Sequence, residues 1–178
     1  KVVKNVMITF GGGDIRNMTP KIMLYIKEYY PNINLNVIIG KSYTNIKEIE
    51  RVASPNTNLI YFPDATKIKN IMVKSDIAVA SGGITLYELA RVGLPTIAII
   101  LIDNQIEDIE GWSNSGFLFN AGWWDSSIIK ENIINHMHRL EECSLREKMG
   151  EIGQGLVDGN GANRIVDFTL KRFYENSI

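Results

Sequence analysis

Apolar runs of strand length, without polar alternation, recur along this chain and are separated by segments of helical period. Strands of that kind are buried on both faces, which a parallel sheet covered by helices on each side provides. The predicted strands are Val2–Phe10, Leu35–Ile39, Leu59–Phe62, Asp76–Ala80, Thr96–Ile102 and Gly116–Asn120. Between them fall helices at Thr19–Tyr30, Ile46–Val52, Thr66–Val73, Thr85–Val92 and Gln105–Ser113. Ser126–Leu140, Leu145–Ile152 and Asn163–Tyr174 close the chain as helices. Thr19-Pro20 reads as a helix cap followed by proline at the first helical position, and Gly93 as a helix stop. The alternation predicts one α/β domain over residues 1–178, a doubly wound Rossmann-like parallel sheet of about six strands.

Bulk properties narrow the function. With 45% hydrophobic and 22% charged residues the composition is globular, and a net charge of −1 without a basic stripe offers no footprint for nucleic acid. No apolar stretch is long enough to span a bilayer. The single Cys143 excludes an internal disulfide framework and fits a reducing, cytoplasmic setting. The chain opens on Lys1 directly before strand-like sequence, and the expectation is that it is a piece of a longer protein.

Two glycine turns carry the functional signal: Gly11-Gly12-Gly13-Asp14 after the first strand and Ser81-Gly82-Gly83 after the fourth. In the strand order 3-2-1-4-5-6 those strands are neighbours, and ligands bind in the crevice between their carboxyl ends. Glycine lets a ligand approach backbone, and the helix beginning near Ile84 presents free N–H groups and a positive dipole end to an anion. A phosphate is the expected guest. The dinucleotide fingerprint fails, because Arg16 stands where the third glycine belongs and no acid follows the second strand, so NAD is not expected. Gly40-Lys41-Ser42 mimics the end of a P-loop, but Leu35 occupies the leading glycine position. Thr85-Leu86-Tyr87-Glu88 reads either as a capping box or as a helix whose Glu88 accepts two sugar hydroxyls. Asn104 is either a helix cap or, with Gln105, a source of amides for a sugar.

The stretches "ITFGGGD", "SDIAVASGGITLYELARVGLPTIAIILIDNQ" and "VDGNGANRIV" resemble the carboxyl-terminal half of the UDP-sugar hydrolases of nonulosonic acid biosynthesis. Spore-coat polysaccharide proteins belong to the same group, and a more distant similarity reaches the undecaprenyl-diphospho-muramoyl-pentapeptide N-acetylglucosaminyltransferase. The resemblance implies the nucleotide-binding half of a glycosyltransferase B architecture, with an amino-terminal domain as partner and source of the catalytic residue. It implies a UDP-sugar as substrate; no cofactor or metal is expected. Ser81, Gly82, Gly83 and Thr85 would hold the diphosphate, Glu88 the ribose, and Asn104 and Gln105 the diphosphate and hexose. Backbone from Phe62 to Ala65 would read the uracil, while Gly12 and Gly13 approach from the opposite side and Asp14 sits in a matching position.

Other residues are assigned structural roles. His136 and His138 point to different helix faces and cannot share a metal. Trp112, Trp123 and Trp124 are expected in core or inter-domain packing, and the acidic run Glu107 to Glu110 on a solvated helix face.

Overall fold

The computed structural model describes residues 2–175; Lys1 and residues 176–178 of the predicted domain lie outside the described residues. Fifteen elements follow in the order β1 (Asn5–Thr9), α1 (Met18–Tyr29), β2 (Asn34–Ile39), α2 (Ile46–Val52), β3 (Thr57–Tyr61), α3 (Ala65–Lys74), β4 (Ile77–Ser81) and α4 (Ile84–Val92). Then come β5 (Thr96–Ile100), a single 3-10 turn (Asp103–Gln105), α5 (Ile106–Ser115), β6 (Leu118–Trp123), α6 (Ile129–Arg139), α7 (Cys143–Leu156) and α8 (Gly161–Glu175). The strands form one parallel sheet in the order β3-β2-β1-β4-β5-β6, as the sequence predicts.

Alternate residues of the central strands feed two separate cores, because successive side chains leave a strand on opposite faces. Val6, Ile8, Ile77, Val79, Ile97 and Ile99 pack with the buried residues of α1 and α6. Met7, Ala78, Ala80, Ala98 and Ile100 pack with Leu86, Leu89 and Ala90 of α4 and with Ile109 and Trp112 of α5. The alanines on this second face bring α4 close to the sheet. Glycines then bring α7 against α4: a Cβ on Gly153 would stand 2.6 Å from the Phe117 ring, and one on Gly150 would stand 2.6 Å from the Gly93 carbonyl oxygen. Trp112 is buried and meets Tyr87 and Phe117 edge-on.

Several boundaries differ from the sequence expectation for identifiable reasons. β1 begins at Asn5, where its pairing with Asn34 of β2 starts; ahead of it the Lys4 and Asn5 N–H groups donate to the Asp76 carboxylate at 2.9 Å. β6 begins at Leu118 because Gly116, at φ 86°, caps α5. Thr19 is not the cap of α1. The helix starts at Met18 after Asn17 turns into the left-handed region at φ 53°, and the cap is supplied from further back by Asp14.

Candidate functional site

β1 and β4 pair in register through Thr9 and Ala80, and β4 continues to pair with β5 through Ser81 and Ile99. The turns after these three strands therefore meet at one edge of the sheet. Gly12, Gly13, Ser81, Gly82, Gly83, Asn104 and Gln105 are brought together there. α4 opens at the same edge. Its cap is Gly83 at φ 124° and ψ −167°, a conformation that only glycine adopts at low cost, and no side chain among the described residues caps the helix. Of the first N–H groups of α4, Gly83 donates to Asp108 Oδ2 at 3.3 Å. Those of Ile84 and Thr85 make no hydrogen bond among the described residues. This is the electropositive, incompletely bonded helix start that accepts anions.

The glycines divide by role. A Cβ on Gly12 or Gly83 would meet nothing within 4 Å, so both border open space. A Cβ on Gly82 would stand 2.8 Å from Gln105 Cβ, so Gly82 serves close packing of the β4 and β5 turns. Gly40, set aside in the sequence as part of a false P-loop, is the most constrained: a Cβ there would lie 2.4 Å from the Gly12 carbonyl oxygen. With Ser42 N–H donating to that oxygen at 2.9 Å, the turn after β2 clamps the glycine turn from behind.

Asp14 is turned inward. Its carboxylate accepts from Met18 N and Thr19 N at 2.7 Å and from Asn45 Nδ2 at 3.0 Å, and the residue is only 7% exposed. Its observed role is to cap α1 and tie it to the turn before α2. That occupies the N-terminus of α1 and leaves the N-terminus of α4 as the open one. Gln105 is also engaged at both ends: Oε1 accepts from Leu101 N at 2.9 Å and Nε2 donates to the Gly82 carbonyl at 3.0 Å. Asn104 does not cap α5; it lies exposed in the 3-10 turn without a hydrogen bond among the described residues.

The capping-box alternative for Thr85 and Glu88 is corrected by the helix start. Gly83 is the cap, which places Thr85 inside the first turn, and the Glu88 carboxylate makes no hydrogen bond among the described residues. Glu88 instead lines, with Ala65, Ile68, Lys69 and Tyr87, a groove of about 820 Å³ between α3 and α4. Phe62 stands at the end of β3 with φ 47° and is half exposed, while Pro63 follows and Asp64 Oδ1 caps α3 by accepting from Lys67 N at 2.7 Å. A left-handed bulky residue stores strain of a kind concentrated at functional turns.

Two residues outside the predicted set belong to this edge. Asp108, placed by sequence on a solvated face, is half buried against the start of α4. Arg16, read only as a departure from a dinucleotide fingerprint, reaches the Leu101 carbonyl and Trp124. Neither has a local signal, since the partners lie 25 and 85 residues away. Among the described residues no group of three or more His, Cys, Asp or Glu could hold a metal ion. Nor is any helix among them long and apolar enough to cross a membrane.

A doubly wound parallel sheet whose switch point carries an open helix start and two glycine turns defines a Rossmann-like α/β domain. Residues 7–110 match the family model of the glycosyltransferase family 28 C-terminal domain, and the chain belongs to that family. The spore coat polysaccharide biosynthesis protein SpsG of Bacillus subtilis is 24% identical over 182 residues, covering 100% of this chain and 53% of that protein. The chain thus spans about half the length of this relative. Among solved structures, Acinetobacter baumannii MurG superposes with a TM-score of 0.76 at 16% identity over 95% of this chain and 52% of its own. Neisseria meningitidis UDP-GlcNAc 2-epimerase bound to UDP-GlcNAc superposes at 0.69 and 24% identity over 96% of this chain and 45% of its own. These likenesses show the same glycosyltransferase-B-type Rossmann fold.

Proposed function

We propose that this chain is the donor-binding half of an enzyme acting on a UDP-sugar. In its full-length form the protein uses a catalytic group from an amino-terminal domain to hydrolyse the sugar from UDP. The observation that carries the reading is the start of α4: N–H groups unbonded among the described residues behind the positive-φ Gly83, facing the Gly12 turn across paired strands. A diphosphate held there would leave its ribose one helical turn on, within reach of Glu88, and its base toward the α3 groove. Ser81, Gly82, Gly83 and Thr85 form the diphosphate turn, with Gly12 and Gly13 opposite and Asn104 toward the hexose. Phe62 backbone lies on the base side. Fixed N–H dipoles aimed at the departing diphosphate are this half's contribution to rate, because charge develops there as the glycosidic bond breaks. UDP is the nucleotide named for the Neisseria meningitidis epimerase structure, and polysaccharide synthesis is the setting named for SpsG; both support the choice.

A second reading, transfer of the sugar to an acceptor, is favoured by the family's own description as glycosyltransferases. The two readings share this half and differ in the other. Release of UDP by the full-length protein without any acceptor selects hydrolysis, and release only on adding an acceptor selects transfer.

The binding claim is tested on the 178-residue chain by thermal shift with UDP, CMP, dTDP, ADP and NAD. A ligand at 100 times its Kd adds about 2.7 kcal/mol, roughly 5–10 °C for a domain of this size. UDP alone is expected to give that shift. Replacing Glu88 by Ala should then cost UDP about 1–3 kcal/mol, the range for hydrogen bonds to a charged group, and leave inorganic diphosphate binding unchanged. An equal loss for both ligands removes Glu88 from the ribose site.

A further inference from the structure

Arg16 leaves the glycine turn after β1, yet its Nε donates to the Leu101 carbonyl at 3.3 Å, beyond the end of β5. β4 lies between β1 and β5 in the sheet, so this side chain crosses the carboxyl end of β4, where Ser81-Gly82-Gly83 begins. The guanidinium carbon also stands 4.8 Å from the centroid of the Trp124 ring, just past β6. A hydrogen bond on one edge and an aromatic ring beside it hold the planar head in place, so little side-chain freedom is left to lose on binding.

The charge of that head is uncompensated. Arg16 forms no ion pair among the described residues, and its terminal nitrogens make no hydrogen bond there. A second cation, Lys21, places its Nζ 5.2 Å from the same Trp124 ring and is likewise without a carboxylate partner. Of the acids near this edge, Asp14 and Asp108 are committed to backbone N–H groups, at the start of α1 and at Gly83, and Asp103 and Asp125 form no ion pair among the described residues. Two cations gathered on one ring repel each other, and an anion between them and the start of α4 relieves that repulsion. A guanidinium with its outer nitrogens free matches the paired oxygens of a phosphate.

We infer that Arg16 is a specificity-determining contact of the donor site. Held over the end of β4 by Leu101 and Trp124, it pairs with the sugar-side phosphate of a nucleoside diphosphate, with Lys21 adding to the local field. This rests on the UDP-sugar reading above and deepens it. The α4 start takes one side of the diphosphate and Arg16 the other, so the site discriminates a diphosphate from a monophosphate.

The test is calorimetric titration of the 178-residue chain with UDP and UMP, for wild type, Arg16→Gln and Arg16→Lys. Arg16→Gln is expected to weaken UDP tenfold or more while UMP stays within twofold. Arg16→Lys, which keeps the charge but not the fork, should fall between. If Arg16→Gln melts early, the Arg16→Lys affinity ratio of UDP to UMP decides, and it must be lower than in wild type. Wild-type UDP affinity in Arg16→Gln overturns the assignment and leaves the UDP reading standing. An equal loss for UDP and UMP overturns it as well, since Arg16 then only straps the loops. A wild-type chain that binds UMP as tightly as UDP removes the discrimination, and one that binds neither overturns the donor-site reading itself.

Discussion

The Gln105 side-chain amide donates to the Gly82 carbonyl at 3.0 Å, and its oxygen accepts from Leu101 N–H at 2.9 Å, so one side chain sets the spacing between the turns after β4 and β5. The absence of a Cβ on Gly82 is what permits it, because Gln105 Cβ occupies that space. Replacing Gln105 by Ala frees a partly buried carbonyl and N–H at once. The expected cost is about 1–3 kcal/mol, seen as a fall in Tm of roughly 2–4 °C per kcal/mol. An unchanged Tm with weakened UDP binding would show instead that Gln105 acts on the ligand, as the sequence suggests.

Gly12 and Gly83 both border open space, but only Gly83 has a positive φ. Gly12 therefore accepts a methyl group without backbone strain, and Gly12→Ala should change stability little, toward a gain of about 0.4–1 kcal/mol from the unfolded state. If the turn lies against a diphosphate, the same methyl group should weaken UDP at least about tenfold, or 1.4 kcal/mol. Calorimetry and a melting curve on one variant separate the two effects. Full UDP affinity in a stable Gly12→Ala protein would remove this turn from the ligand surface.

The sheet was legible because its signals are local: runs such as Ile77–Ala80 without polar alternation, stopped by glycine, need only a few residues to be read. α2 matches its predicted range for the same reason. The caps were not legible. Thr19-Pro20 carries the local signature of a helix start, but Asp14 does the capping from four and five residues back. Thr85 and Glu88 have capping-box spacing, yet the φ of Gly83, invisible in sequence, puts the cap two residues before Thr85 and starts the helix at Ile84. The candidate site was legible in its glycines, and less so in its charges. Asp108 and Arg16 owe their positions to partners distant in the chain, Gly83 and Leu101, and nothing near them in sequence points there.

Asp108 accepts from the Gly83 N–H, which a diphosphate bound at the start of α4 would also need. With Oδ2 3.3 Å from Gly83 N, the carboxylate places a negative charge at the start of α4. Asp108→Asn keeps an acceptor for Gly83 and removes the charge. One unit charge a few ångströms away in a solvated cleft is worth about 1 kcal/mol, so UDP should bind about fivefold more tightly to the variant. Weaker binding in Asp108→Asn would mean that the carboxylate itself accepts from the ligand.

His136 gives the fold a pH dependence of defined sign. Its ring stacks on Phe119 at a centroid distance of 4.7 Å, and Nε2 lies 3.3 Å from the Asn120 carbonyl oxygen, while Nδ1 is buried without a partner among the described residues. Burial pushes its pKa below the ordinary imidazole value; the Asn120 carbonyl opposes that shift and the nearby Arg139 charge adds to it. The folded state thus prefers neutral imidazole. That preference contributes in full above the unfolded pKa of about 6.5 and is lost as pH falls through the lower folded value. His136→Phe keeps an aromatic ring to stack on Phe119 and cannot titrate. Between pH about 6.5 and about 5, above the ordinary carboxylate range, the wild-type Tm should fall as acid is added and the variant's should fall less. Parallel curves for the two proteins would show that His136 takes up its proton as readily folded as unfolded.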